Sequence, residues 1–102
     1  MAWKEICPLA DIPKLGSRVV RTSTKEIGVF RTETDGVFAI NNLCPHKKGP
    51  LSQGIMFGET VQCPLHNWRI SLVSGKAEEP DEGETTCYPT KIENGIVFLE
   101  VE

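Results

Sequence analysis

Residues 44–51 of the chain read CPHKKGPL, and residues 63–68 read CPLHNW. Each stretch holds one cysteine and one histidine: Cys44 with His46, and Cys63 with His66. Together they contain both histidines of the chain and two of its four cysteines. Residues i and i+2 of an extended segment point to the same side, so Cys44 and His46 can converge on one site. The three-residue spacing of the second pair suits a tight turn, and we treat the four side chains as one candidate metal site.

Two kinds of metal centre use two cysteines and two histidines. A tetrahedral zinc ion binds all four ligands, and finger-type sites pair cysteine with cysteine and histidine with histidine. Here each stretch supplies one of each. That mixed arrangement is typical of a [2Fe–2S] cluster in which one iron binds both cysteines and the other binds both histidines. The pattern favours the cluster, and a zinc-stabilised interaction module is the alternative.

Composition limits the remaining possibilities. The chain has 102 residues, 39% of them hydrophobic and 25% charged, which is ordinary for one globular domain spanning residues 1–102. Its net charge of −3 is unlike that of a nucleic-acid binder. No apolar run approaches the ~20 residues of a membrane span, and the first residues lack the apolar segment of a secretory signal. We therefore expect a cytoplasmic protein, with no membrane partner, whose cysteines stay reduced.

The chain is punctuated by nine glycines and seven prolines, and between them lie short runs rich in Val, Ile, Phe and Thr. This pattern predicts an all-β fold built from antiparallel hairpins. Two-residue hairpin turns are expected at Asp35-Gly36 and Asn94-Gly95. The two cysteine–histidine stretches fall in loops. Strands are predicted at residues 3–7, 17–22, 26–31, 37–41, 60–62, 68–72, 88–93 and 96–101.

The runs CPHKKGPLSQG (residues 44–54) and CPLHNWRISLVSGKA (residues 63–77) resemble the cluster-binding boxes of Rieske-type [2Fe–2S] ferredoxins. Within that superfamily they are most similar to small subunits of assimilatory NAD(P)H-dependent nitrite reductase. The resemblance implies a Rieske iron–sulfur fold of three small antiparallel sheets, with a cluster-binding subdomain at about residues 43–77. It implies that the cysteines bind the inner iron and the histidines the solvent-facing iron. The ligand set is then Cys44, His46, Cys63 and His66.

The resemblance also implies an electron-transfer function. The partner would be a large subunit containing flavin and sirohaem that takes electrons from NAD(P)H and reduces nitrite to ammonium. The alternative is a ferredoxin component of an aromatic-ring dioxygenase, which would exchange electrons with a reductase and a terminal oxygenase. The chain offers no further histidine as a base and no nucleotide-binding glycine motif, so we expect no independent catalytic site. High-potential Rieske proteins carry a disulfide where this chain has Gly49 and Leu65, so we expect a low-potential centre.

Overall fold

A computed structural model describes residues 2–22, 25–42, 50–64, 68–78 and 83–101 of the chain. These residues form three antiparallel sheets and two short 3-10 turns, Leu9–Asp11 and Leu51–Gln53. The prediction of an all-β fold with three small sheets is confirmed. The strands are β1 (Ala2–Pro8), β2 (Ser17–Arg21), β3 (Glu26–Arg31), β4 (Val37–Asn41), β5 (Ile55–Phe57), β6 (Thr60–Gln62), β7 (Arg69–Ser71), β8 (Cys87–Tyr88), β9 (Thr90–Glu93) and β10 (Ile96–Val101).

The central sheet, with strand order β2-β3-β4-β8, is covered on both faces. Successive side chains of a strand point to opposite faces, and in β3 they enter two different cores. Phe30 packs towards the β5-β6-β7 sheet, whereas Ile27 and Val29 pack towards the β1-β10-β9 sheet. Burial on both sides explains why Ile27–Phe30 is an unbroken buried run rather than an alternating one.

The first core lies between the central sheet and the β5-β6-β7 sheet, and the second lies on the opposite side. Each fully buried aliphatic side chain contributes roughly 1.5–3 kcal/mol to folding. The first core therefore fastens the β5-β6-β7 sheet to the rest of the molecule. Its buried members are Phe30, Ile40, Leu51, Met56, Val61, Cys63, Ile70 and Leu72. Those of the second core are Cys7, Ile12, Ile27, Val29, Ala39, Val97 and Leu99.

The two predicted hairpins differ in outcome. Asn94 and Gly95 both have positive φ, at 52° and 76°, and Glu93 pairs with Ile96, so the predicted two-residue turn is confirmed. At the other hairpin Arg31 pairs with Val37, and the prediction of a two-residue turn at Asp35-Gly36 is wrong. Five residues make this connection. The Thr32 hydroxyl accepts a hydrogen bond from the Gly36 N–H at 2.9 Å and closes the wider loop.

The predicted strand at residues 88–93 is also corrected. Proline has no N–H to donate, and Pro89 divides this segment into β8, which pairs with β4, and β9, which pairs with β10. The chain crosses from one sheet to another at this residue. Strand β5 has no counterpart among the predicted strands. No helix in the described part of the chain has the length and apolar character needed to cross a membrane.

Candidate metal centre

The two cysteine–histidine stretches begin at the ends of strands. The first follows β4, and the second follows β6. Cys44, His46 and His66 lie outside the residues that the structure describes, and Cys63 lies within them. The described residues contain no group of three or more His, Cys, Asp or Glu side chains suited to a metal ion. Only one of the four predicted ligands, Cys63, is among those residues.

Cys63 is a buried thiol at the edge of the first core. Only 2% of the residue is exposed, and Leu51, Val61 and Ile70 belong to the same cluster. Its backbone N–H donates a 2.8 Å hydrogen bond to the carbonyl oxygen of Trp68. This bond joins the two ends of the second stretch, Cys63 and Trp68, immediately before β7.

Trp68 lies at the other end of that loop. Its side chain is half-buried and packs against the first core. This packing supports a core role for the residue rather than a role in binding a partner. The indole thus joins the second loop to the same core that contains Cys63.

The end of the first stretch lies directly against the start of the second. In the β5–β6 ladder Ile55 pairs with Gln62, so the preceding Gly54 lies beside the residues that lead into Cys63. A methyl group on Gly54 would overlap the carbonyl oxygen of Gln62 and press on Val61 Cγ2. Because the φ of Gly54 is −78°, the constraint is space rather than backbone conformation. The two loops therefore share a base at which the backbones touch.

Asn42 is the residue that the sequence reasoning missed. It is 1% exposed and lies between β4 and the first stretch. Its side-chain oxygen accepts a 2.6 Å hydrogen bond from the N–H of Ser52, and its amide nitrogen donates to Glu26 Oε1 at 2.8 Å. The sequence does show an asparagine two residues before Cys44. Asparagine is so common beside loops, however, that this position does not predict a hydrogen bond to a residue ten positions away.

The other two described cysteines lie outside the two cysteine–histidine stretches. Cys7 is 5% exposed in the second core, and Cys87 is half-buried against the first. Burial raises the pKa of both thiols. None of the described cysteines, Cys63 included, forms a disulfide. Cys7 and Cys87 are thus packing residues of the two cores, and Cys63 is available as a ligand.

Comparisons with known proteins bear on what this site holds. The chain matches the Rieske-like [2Fe–2S] domain family over residues 2–100. The chain belongs to this family. It is 36% identical over 101 residues to the ferredoxin component of the naphthalene 1,2-dioxygenase/salicylate 5-hydroxylase systems of a Ralstonia species, covering 98% of this chain and 96% of the relative.

Solved structures extend the comparison beyond the dioxygenase ferredoxins. The E. coli protein NirD superimposes with a TM-score of 0.82 at 30% identity, covering 96% of this chain and 94% of that one. A protein assigned as the small subunit of an NADH-dependent nitrite reductase from Mycobacterium tuberculosis gives a TM-score of 0.88 at 19% identity, covering 99% and 96%. At 19% identity the likeness shows the fold alone.

The Rieske family fixes the cofactor class, and the described residues fit it. The cofactor is a Rieske-type [2Fe–2S] cluster, and the protein functions in electron transfer. Thiolate is the ligand that iron–sulfur clusters require, and Cys63 offers a thiol outside any disulfide. Its burial against apolar side chains would keep water from that side of a cluster.

Proposed function

We propose that this Rieske protein is the small subunit of an assimilatory NAD(P)H-dependent nitrite reductase. The observation that carries the proposal is the extended second box, CPLHNWRISLVSGKA at residues 63–77, which resembles that subunit beyond the ligands themselves. The 30% identity to the E. coli protein NirD, over nearly the whole of both chains, supports it. The partner would be the large subunit containing flavin and sirohaem, in the cytoplasm, where we expect this chain.

Cys44, His46, Cys63 and His66 are the proposed cluster ligands, within a cluster-binding subdomain at about residues 43–77. The bound cluster supplies one-electron transfer. The chain's own contribution is to hold two loops on a common base and to bury Cys63 within the first core. With every ligand position of the cluster filled by protein, nitrite itself would be reduced on the large subunit.

A second candidate is a ferredoxin component of an aromatic-ring dioxygenase. The 36% identity to the Ralstonia ferredoxin component, over 98% of this chain, favours it. Both candidates need the same fold and the same cluster. They differ in the client enzyme, so the client must be identified directly.

Co-purification from the native host separates the two candidates. The tagged chain would be isolated from cells grown with nitrate as the sole nitrogen source, with the tag alone as control. We expect a large protein that shows sirohaem absorption and oxidises NAD(P)H when nitrite is added. Recovery of a Rieske oxygenase or its reductase, without a sirohaem protein, would support the dioxygenase ferredoxin instead.

The ligand set is tested separately from the client. Cys63→Ser and His46→Ala should each abolish the EPR signal of the reduced cluster and lower the iron and acid-labile sulfide content. Cys87→Ser is the matched control, because it removes a thiol that packs on the same core outside the ligand boxes. A normal Rieske signal in either ligand variant would contradict the assignment.

A further inference from the structure

Asn42 and Thr32 are the buried polar residues of the described chain, 1% and 3% exposed. Thr32 directly follows β3, and Asn42 directly follows β4. The side chain of each residue closes the loop that comes after its strand. Thr32 closes the hairpin between β3 and β4. Asn42 closes the segment that carries Cys44 and His46. The two residues thus have similar burial and similar local roles, but only Asn42 lies next to a ligand loop.

The hydrogen bond between Asn42 and Ser52 joins the two ends of the first ligand loop. Asn42 precedes the loop, and Ser52 follows it in the 3-10 turn. The carbonyl oxygen of Ser52 accepts a second hydrogen bond from the Ser17 hydroxyl at 2.8 Å. The backbone of Ser52 is therefore held on two sides, by a side chain of the preceding segment and by the central sheet.

Glu26 orients the amide of Asn42. Its Oε1 accepts from the amide nitrogen at 2.8 Å, and its backbone oxygen accepts from the Asn42 N–H at 2.9 Å. Its Oε2 forms an ion pair with Arg21 Nε at 3.2 Å. Since the carboxylate takes the donor end of the amide, the acceptor end must face Ser52. One buried side chain here has to donate and accept at once, which an amide does and an aliphatic side chain cannot.

We propose that Asn42 is a positioning residue for the iron–sulfur cluster. Its amide latches the two ends of the first ligand loop, and Glu26 and Ser17 hold the latch against the central sheet. The inference rests on the proposed ligands Cys44 and His46, because it concerns how their loop is held. Asn42 itself binds no iron. Loss of the latch would widen the loop, loosen the cluster and change its electronic environment.

The test compares Asn42→Leu with Thr32→Val in the holoprotein. Both remove a buried loop-closing side-chain hydrogen bond, so both lower the free energy of unfolding. The readouts are the rate at which a strong iron chelator bleaches the cluster, the EPR line shape and the reduction potential. We expect Asn42→Leu to speed bleaching by about tenfold or more and to broaden the EPR signal, because a buried donor and acceptor lose their partners. Thr32→Val should change none of the three readouts.

Two further variants test the proposal even if Asn42→Leu does not fold. Ser17→Ala removes the second contact to Ser52 and should shift the bleaching rate in the same direction by a smaller factor, about threefold. In the double variant Asn42→Asp with Glu26→Gln, donor and acceptor exchange places. The introduced amide at position 26 can donate to the introduced carboxylate, which still accepts from Ser52. We expect the double variant to lie closer to wild type than Asn42→Asp alone.

The outcomes separate this proposal from the ligand assignment. A wild-type protein that holds no cluster after anaerobic reconstitution would refute the ligand assignment. A normal wild-type cluster, with Asn42→Leu matching Thr32→Val in bleaching rate, EPR line shape and potential, would overturn the latch alone. The latch would also be contradicted if the double variant Asn42→Asp with Glu26→Gln lost its cluster as fast as Asn42→Asp alone.

Discussion

Gly54 and Gln62 approach so closely that a single methyl group would not fit between them. A Cβ on Gly54 would overlap the Gln62 carbonyl oxygen. Gly54 ends the turn after the first ligand loop, and Gln62 precedes Cys63 in the second. The spacing between the two loops is thus set by backbone contact at their base.

Gly54→Ala should therefore separate the loops and impair the cluster. The neighbour that it meets is backbone, which cannot move aside as a flexible side chain would. We expect a loss of stability of about 1–3 kcal/mol, the range for overpacking, and at least a tenfold lower cluster content after reconstitution. Iron analysis and chemical denaturation would measure both effects.

Gly95→Ala is the matched control. Gly95 has a φ of 76° and open space around its Cβ position, in the distant β9–β10 hairpin. Alanine there costs about 1–2 kcal/mol through left-handed backbone strain alone. Its cluster content should equal that of wild type. Equal cluster loss in the two variants would indicate that general destabilisation, rather than loop spacing, is responsible.

The two cores should differ in their effect on the cluster. Leu51 in the first core and Leu99 in the second are both fully buried, so Leu→Ala should lower the stability of either by about 2–5 kcal/mol. Leu51 immediately precedes Ser52 and shares its core with Cys63. Leu51→Ala should thus expose the cluster through local opening and speed chelator bleaching, under conditions where both variants stay folded. Equal bleaching rates in both would show that the cores act as one unit.

The local features of this fold are those that the sequence predicts best. The Asn94-Gly95 turn needs positive φ at two adjacent positions, and few residue pairs other than Asn-Gly provide it. The ligand boxes are equally local, since residue type and short spacing define them. The two-residue turn predicted at Asp35-Gly36 is wrong because Thr32, three residues before Asp35, closes a wider loop that contains both residues.

The features that the sequence does not predict are strand β5 and the contact between Asn42 and Ser52, which depend on other parts of the chain. Strand β5 escapes notice because Ile55 and Phe57 face outward, 62% and 47% exposed, while Met56 is buried. All three residues are apolar, so the segment lacks the alternation of apolar and polar residues that indicates a half-buried strand. The contact of Asn42 with Ser52 likewise depends on where the 3-10 turn docks on the central sheet, and no local pattern encodes that docking.

The thiol of Cys87 should react slowly although reagents can reach it. It lines an open surface groove of about 450 Å³ together with Val73 and Tyr88. Desolvation by burial raises its pKa, and the thiolate is the reactive form. At pH 7.5 we expect iodoacetamide to label Cys87 at least about fivefold more slowly than a cysteine in an unfolded peptide. Peptide mapping by mass spectrometry would follow the reaction, with Cys87→Ser identifying the modified peptide. Labelling as fast as in the peptide would contradict the effect of burial.

The ion pair between Arg31 and Asp35 should make stability fall at acid pH. Arg31 donates to Asp35 Oδ1 from Nε at 3.0 Å and from Nη2 at 2.8 Å, while its Nη1 donates to the Ile12 carbonyl at 2.8 Å. The hydrogen bond from Arg31 holds the pKa of Asp35 below its ordinary value of 3.8. A carboxyl whose pKa is lower in the folded state stabilises the fold above its unfolded pKa. That contribution is lost as the pH falls through the folded pKa, below about pH 4.

Asp35→Asn isolates this contribution, because asparagine also tolerates the positive φ of 68° at this position. The wild type should have a slightly higher Tm than the variant between pH 5 and pH 7, since the pair is half-exposed and surface pairs contribute little. The difference in Tm should shrink towards zero as the pH falls below about 4. Glu33→Gln makes the same change of charge in the same turn, so a decline common to both variants would be due to net charge. A difference for Asp35→Asn that stays constant down to pH 3 would show that the ionised pair does not stabilise the hairpin.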